Sequence, residues 1–137
     1  MGRIMALDLG ERRIGVALSD PLGLTAQPLA TIARAGDAAT IAQIGELVAR
    51  HDVAQLVLGL PRRTDGSEGP EAEAVRTFGA KISASLGVDV RYVDERFTTR
   101  QAQRALIAGD VSRRRRKEQV DRLAATLILQ QVLDSRS

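Results

Sequence analysis

The stretch Ile4-Met5-Ala6-Leu7-Asp8-Leu9-Gly10-Glu11-Arg12-Arg13-Ile14-Gly15-Val16-Ala17-Leu18-Ser19 decides the fold. Two short apolar runs, Ile4 to Leu9 and Ile14 to Ser19, are joined by Gly10, Glu11 and Arg12, the pattern of a β-hairpin that opens the chain. A third short strand fits Pro28 to Ile32, and Asp37 is placed to cap a helix whose Ile41, Ile44, Leu47 and Val48 recur at helical spacing up to His51. Gln55 to Gly59 reads as a strand buried on both faces of a parallel sheet, and it runs into a polar loop expected to be mobile, Leu60-Pro61-Arg62-Arg63-Thr64-Asp65-Gly66.

Downstream, Pro70 with Glu71 and Glu73 starts a helix that buries Val75, Phe78, Ile82 and Leu86, and Val88 to Val93 is a fifth strand. Thr98 and Gln101 have the spacing of a capping box for a helix through Ile107, which Gly109 can close. After the block Arg113-Arg114-Arg115-Arg116-Lys117 a last helix is expected, with Val120, Leu123, Ala124, Leu127, Ile128 and Gln131 in period and the small pair Ala124 and Ala125 allowing close approach to a sheet. Hairpin-linked strands followed by alternating strands and helices predict an α/β layer. Its mixed sheet has five strands, the first three antiparallel, and about four helices flank it, in one domain spanning 1–137.

Composition narrows the chemistry. Cysteine is absent, which excludes disulfides, thiolate zinc sites and cysteine nucleophiles, so any metal must sit on oxygen or on His51, the single histidine. His51 falls at a helix end and reads as a dipole-complementing cap rather than a base. No apolar run is long enough to cross a bilayer and the first residues do not form a signal peptide, so a cytoplasmic protein without a membrane partner is expected. The formal charge is +3, but a pI near 10.1 and the basic block favour a polyanionic partner. Phe78, Tyr92 and Phe97 are the only aromatic residues, too few for an extended base-stacking platform, so contact with the backbone of the polyanion should dominate.

Three carboxylates need an explanation. Asp8 lies inside an apolar strand, Glu95 follows Tyr92 and Val93 at the end of another, and Asp121 shares a helix face with Ala124, Ala125 and Ile128. Taken singly, an ion pair with one of the many arginines is the favoured reading of Asp121 and the less favoured one of Asp8. Together, strand ends and a helix packed over them can bring the three into one acidic cluster, whose mutual repulsion calls for a divalent cation. Oxygen ligands favour magnesium or manganese over zinc, and two such ions support phosphodiester hydrolysis without a histidine. Asp94, one step from Glu95 along the strand, should face the other way and is assigned a structural role.

Four motifs then carry a resemblance over nearly the whole chain. They are Leu7-Asp8-Leu9-Gly10 with Arg13-Ile14-Gly15-Val16-Ala17; Gly59-Leu60-Pro61 to Asp65-Gly66; Asp94-Glu95-Arg96-Phe97-Thr98-Thr99; and Val120-Asp121-Arg122-Leu123-Ala124-Ala125. In this order and spacing they resemble the YqgF/RuvX family. The resemblance implies an RNase H-like fold and a nuclease that completes the 5′ end of small-subunit ribosomal RNA or resolves Holliday junctions. It places Asp8, Glu95 and Asp121 as the catalytic and metal-binding acids for Mg2+ or Mn2+, with Arg62 and Arg63 as basic loop residues and Arg96 beside Glu95. Arg113, Arg114, Arg115, Arg116 and Lys117 are further candidates for phosphate contact, against the reading of a solvated surface loop.

The expected partner is therefore structured RNA or branched DNA. Symmetric cleavage of a four-way junction needs two active sites, so the resolvase reading implies a homodimer. Two rivals stand beside this reading. An Asp-x-Gly hairpin also opens the actin and sugar-kinase ATPases, but those need a second lobe of similar fold that 137 residues leave no room for. A binding module without catalysis would use the arginines alone, and the intact acid triad argues against it.

Overall fold

The computed structural model of the chain describes residues 2–95 and 113–135, with 113–121 as backbone only. Its elements in order are β1 (Arg3–Leu9), β2 (Arg13–Ser19), β3 (Ala26–Ala33), α1 (Asp37–Arg50), β4 (Val53–Leu60), α2 (Pro70–Leu86), β5 (Asp89–Asp94) and α3 (Arg113–Asp134). One five-stranded sheet runs in the order β3-β2-β1-β4-β5. The β1–β2 and β2–β3 pairs are antiparallel, whereas β4 joins β1, and β5 joins β4, in parallel. This is the mixed sheet expected from the hairpin-first pattern, and the helix expected over Thr98 to Ile107 lies outside the described residues.

Strand alternation divides the core into two layers, because successive side chains leave a strand on opposite faces. Met5 and Leu7 of β1, Leu56, Leu58 and Leu60 of β4, and Ile14 and Val16 of β2 form one layer with Ile41 and Ile44 of α1 and Phe78 and Ile82 of α2. Ile4 and Ala6 of β1, Ala17 of β2 and Val57 of β4 face the other way and pack against Ala125, Ile128, Leu129, Val132 and Leu133 of α3. Central β1 is thus apolar on both faces up to Leu7, after which Asp8 falls on the α3 side by the same alternation. The side chains facing α3 near that end are small, which lets the helix lie low over β1 and β2.

Several details depart from expectation for physical reasons. Gly36, not Asp37, is the N-cap of α1, without a side-chain cap bond. The carboxylate of Asp37 is drawn instead to Lys81 Nζ on α2 at 2.8 Å, and the hydroxyl of fully buried Thr40 reaches back to accept the Ala35 N–H at 3.0 Å. The arginine block does not precede the last helix but forms its first turns, since nothing between Arg113 and Val120 breaks a helix and arginine is a good helix former. Strand β3 is longer than Pro28 to Ile32. It tolerates Pro28 because it is an edge strand, and the pairing with β2 shifts register between Val16 and Ala17, where Ala17 meets Pro28. His51 closes α1 as its C-cap, its N–H donating to Leu47 O at 3.0 Å.

Candidate active site

Because β1, β4 and β5 are parallel, their carboxyl ends lie on one edge of the sheet, and that edge gathers Asp8, the Pro61–Gly69 loop and Glu95. Opposite Asp8 on β2 stands Gly15, which puts no side chain beside the carboxylate. Glu95 sits one residue past β5. Its backbone stays tied to the sheet by an N–H donated to Leu60 O at 3.2 Å. Val93 packs on the α3 side of the sheet, so alternation sends Glu95 to that side as well, where Asp8 is.

Gly59 makes this arrangement possible. A Cβ at that position would lie 2.5 Å from Glu95 Oε2 and 2.6 Å from Ile128 Cδ1, so the Glu95 carboxylate occupies the space a side chain on β4 would fill. This is a close approach that only glycine allows. Glu95 is thereby held between β4 and α3. Burial, foremost, then the charge and hydrogen bond of the adjacent Asp8, and last the charge of Asp94, push the Glu95 carboxyl up to about 8. An arginine ion pair would have moved it the other way. Asp94 therefore acts on the site through its charge, although it pairs across to Leu60 as part of the β4–β5 ladder.

The third acid belongs to α3. Position 121 lies four residues before Ala125 and seven before Ile128, on the helical stripe that both residues bury against the sheet. The helix runs antiparallel to β1, since Ile128 meets Gly59 at the carboxyl edge while Gln130 Nε2 and Leu24 O meet at 3.3 Å at the opposite end. Its N-terminal turns, Arg113 to Lys117 included, therefore extend towards the edge that bears the acids. The side chains of Asp121 and of Arg113, Arg114, Arg115, Arg116 and Lys117, and all of Arg96, lie outside the described residues.

The Arg62 and Arg63 loop turns back on itself through backbone hydrogen bonds. Gly66 takes a positive φ of 90°, and its N–H donates to Arg63 O at 2.8 Å, while the Arg63 N–H donates to Ser67 O at 2.9 Å. Glu68 binds Arg76 through both oxygens, at 2.8 and 3.0 Å, which leaves Arg62 a loose third partner at 3.8 Å. The Arg63 guanidinium lies against Gly69. Both arginines stand on the edge that carries Asp8 and Glu95, whereas His51 lines a cleft with Arg3 and Arg50 and takes no part in it.

The donor set fits a hard divalent cation. Asp8 and Glu95 offer only oxygen, their side chains are in hydrogen-bonding contact in spite of like charge, and the glycine notch at residue 59 accommodates one of them. Among the described residues no group of three potential ligands is complete, and the third acid that the sequence supplies, Asp121, falls beyond them. Gly59 and Gly15, which the motifs contain but to which sequence reasoning gave no role, line the place where the acids meet. Their signal was a glycine inside an otherwise apolar strand, which marks a close approach.

Comparison with known proteins bears on the family and the fold. The family described as "RuvX: Holliday junction resolvase" matches residues 2–135. A protein of Moorella thermoacetica named "Putative pre-16S rRNA nuclease" is 55% identical over 132 residues, covering 96% of this chain and 94% of its own. One of the same name from Myxococcus xanthus is 50% identical over 133 residues, covering 97% and 88%. Among solved structures, Thermus thermophilus RuvC in complex with a Holliday junction superposes with a TM-score of 0.58 at 14% identity over 99% of this chain and 96% of that one. The resolvase of Fowlpox virus gives 0.58 at 12% identity, over 97% of each chain. At such identities the likeness is one of fold, and it makes the five-stranded sheet RNase H-like. Acids on the shared sheet edge, the RNase H-like sheet and a match from residue 2 to residue 135 lead to one conclusion: the chain belongs to the RuvX family.

Proposed function

We propose that this nuclease is a divalent-metal-dependent endonuclease that trims the 5′ end of the small-subunit ribosomal RNA precursor, with Asp8, Glu95 and Asp121 as its metal-binding and catalytic acids. The observation that carries the reading is the contact of Asp8 with Glu95 over Gly59, at a place where burial first and the neighbouring Asp8 second push the Glu95 carboxyl up to about 8. Two like charges brought together in a half-buried site are stable at neutral pH only if a proton or a cation lies between them. The names of the full-length relatives support the substrate.

Asp8, Glu95 and Asp121 would hold Mg2+ or Mn2+, two ions in the reading favoured by the all-carboxylate donor set. When bound, such ions lower the pKa of a water and neutralise charge on the scissile phosphate and the leaving oxygen. The protein's part is positional. Asp8 is fixed by a central strand paired on both sides, Glu95 by its backbone bond to Leu60 and the wall of Ile128. Arg62 and Arg63 on one side, and Arg113 to Lys117 on the other, would grip phosphates flanking the scissile bond, with Arg96, next to Glu95 in sequence, a further candidate. Recognition would then rest on shape, phosphates and 2′-hydroxyls, in keeping with few aromatic residues.

No helix among the described residues is long and apolar enough to cross a membrane, and we infer a cytoplasmic place of action from the ribosomal substrate. The test has two arms. Asp8→Asn, Glu95→Gln and Asp121→Asn should each abolish cleavage while the variants stay folded and RNA binding stays near the parent's; three variants that cut at the parent rate would remove the site. Depleting the protein from its native cell should leave small-subunit RNA with extended 5′ ends. Mature ends after depletion, with strict cutting of four-way DNA junctions by a homodimer, would instead establish the resolvase reading that the family's description favours.

A further inference from the structure

The hairpin turn that follows Asp8 is held from outside its own strands. Gly10 N–H donates to Arg13 O at 2.9 Å to close the turn, and a Cβ on Gly10 would fall 2.6 Å from that same oxygen, so the turn is built tightly around the glycine. Arg34, just past the end of β3, then makes two contacts with it. Its backbone N–H donates to Arg12 O at 2.8 Å, and its guanidinium Nη1 donates to Gly10 O at 2.9 Å. The same guanidinium lies over the ring of buried Phe78 on α2, 4.9 Å from the centroid. One side chain thus joins the turn two residues from Asp8 to the helix layer on the far face of the sheet.

An arginine near a nuclease site would ordinarily be read as a phosphate contact. The surroundings of Arg34 oppose that. It borders two surface clefts, one of about 210 Å³ that also holds Glu11 and Glu71, the other of about 420 Å³ that holds Asp37 and Glu73. A phosphodiester entering either would meet carboxylates, while Nη1 of Arg34 already serves a backbone carbonyl and its flat face an aromatic ring.

We infer that Arg34 is a positioning residue, clamping the Gly10 carbonyl against Phe78 so that the end of β1 presents Asp8 to Glu95 in one fixed geometry. This rests on the assignment of Asp8 to the active site. The clamp works by rigidity: a loosened Gly10 would let the last residues of β1 shift, and misplacement on the ångström scale is enough to cost a site of this kind most of its rate.

Arg34→Met tests it, because methionine keeps the apolar stem against Phe78 and the backbone bond to Arg12 O but removes every side-chain donor. In the whole chain the Gly10 amide, whose bond to Arg13 O closes the turn, should exchange with solvent about tenfold faster, because the turn opens more readily once the charged bond to Gly10 O is lost, while distant amides keep their protection. With RNA substrate and saturating Mn2+, kcat should fall about tenfold or more and KM stay at the parent value. Arg34→Lys should recover part of both losses, since an ammonium donates to a carbonyl but lacks the planar fork. A raised KM with kcat intact and a flatter salt dependence would make Arg34 a phosphate contact and overturn the clamp, as would unchanged exchange at Gly10. If the parent protein cleaves neither RNA nor DNA, the nuclease reading fails, and Gly10 exchange alone still decides whether the clamp exists.

Discussion

Replacing Gly59 with alanine adds one methyl group to a buried strand and should disable the protein in two separable ways. The new Cβ would sit 2.5 Å from Glu95 Oε2 and 2.6 Å from Ile128 Cδ1, against 3.4 Å for the start of ordinary contact, so one or both neighbours must retreat by about 0.9 Å. Ile128 has no free side to retreat to, being fully buried among α3 and the sheet. Overpacking of this kind costs about 2 kcal/mol, or about 8 °C in Tm for a domain of this length. Glu95 is the more movable neighbour, and displacing a carboxylate proposed to hold the metal by about 1 Å should lower kcat about 100-fold. Adding Ile128→Val removes the Cδ1 contact but not the one with Oε2. The double variant should therefore regain much of the lost Tm while its cleavage rate stays low. Gly59→Ala with the parent's Tm and rate would refute the packing of Glu95 over Gly59. A double variant that recovers rate and stability together would show that Ile128, not Glu95, bears the strain.

Stability of the metal-free protein should fall as pH rises from about 4.5 to 8: the folded state holds a proton on Glu95 up to about 8, whereas the unfolded chain releases it near 4.5, so ionisation favours unfolding across that window by an order of a few kcal/mol. Denaturant titrations at pH 5 and pH 9 should show the drop, Glu95→Gln should remove it, and Mn2+ should reverse it at the higher pH; a flat profile counts against the buried pair. Alanine at Arg113 to Arg116 should weaken binding to every RNA or duplex tested and flatten the log–log salt dependence by roughly 0.9 per lost phosphate contact on duplex DNA, and an unchanged slope would return those turns of α3 to solvent. Thr40→Val should cost about 1 kcal/mol, read as a lower chemical-denaturation midpoint, because the part-buried bond from the Ala35 N–H to the hydroxyl of fully buried Thr40 is lost; an unaltered midpoint would show that water replaces the hydroxyl.

How much of this was written in the sequence depends on the range of the interactions concerned. The hairpin from Ile4 to Ser19, the buried strand ending at Gly59, the Pro70 start of α2 and the apolar stripe of α3 are local patterns, and the structure has each of them within a residue or a few. Asp8 and Glu95 could be singled out because a carboxylate in an apolar strand is conspicuous wherever the strand is placed. Helix ends were less legible. Asp37 has the chemistry of an N-cap, but Lys81, 44 residues away, takes its carboxylate, and nothing near residue 37 announces that partner. The arginine block could have been loop or helix, since its residue types suit both, and its place in the first turns of α3 follows from continuity with a helix packed on the sheet.

Only the tertiary structure decided that the two acids meet. Alternation puts Asp8 and Glu95 on the α3 side of their strands, but β4 must lie between β1 and β5, all three parallel, before the carboxyl ends share an edge. The notch at Gly59, the clamp of Arg34 on Gly10 and the raised affinity of Glu95 for its proton come from groups far apart in the chain. The sequence by itself determined which residues carry charge into an apolar setting. Which charges face one another, and so which must share a proton or a metal, depends on strand order and on the approach of backbones across the sheet, and neither leaves a mark on any single stretch of residues.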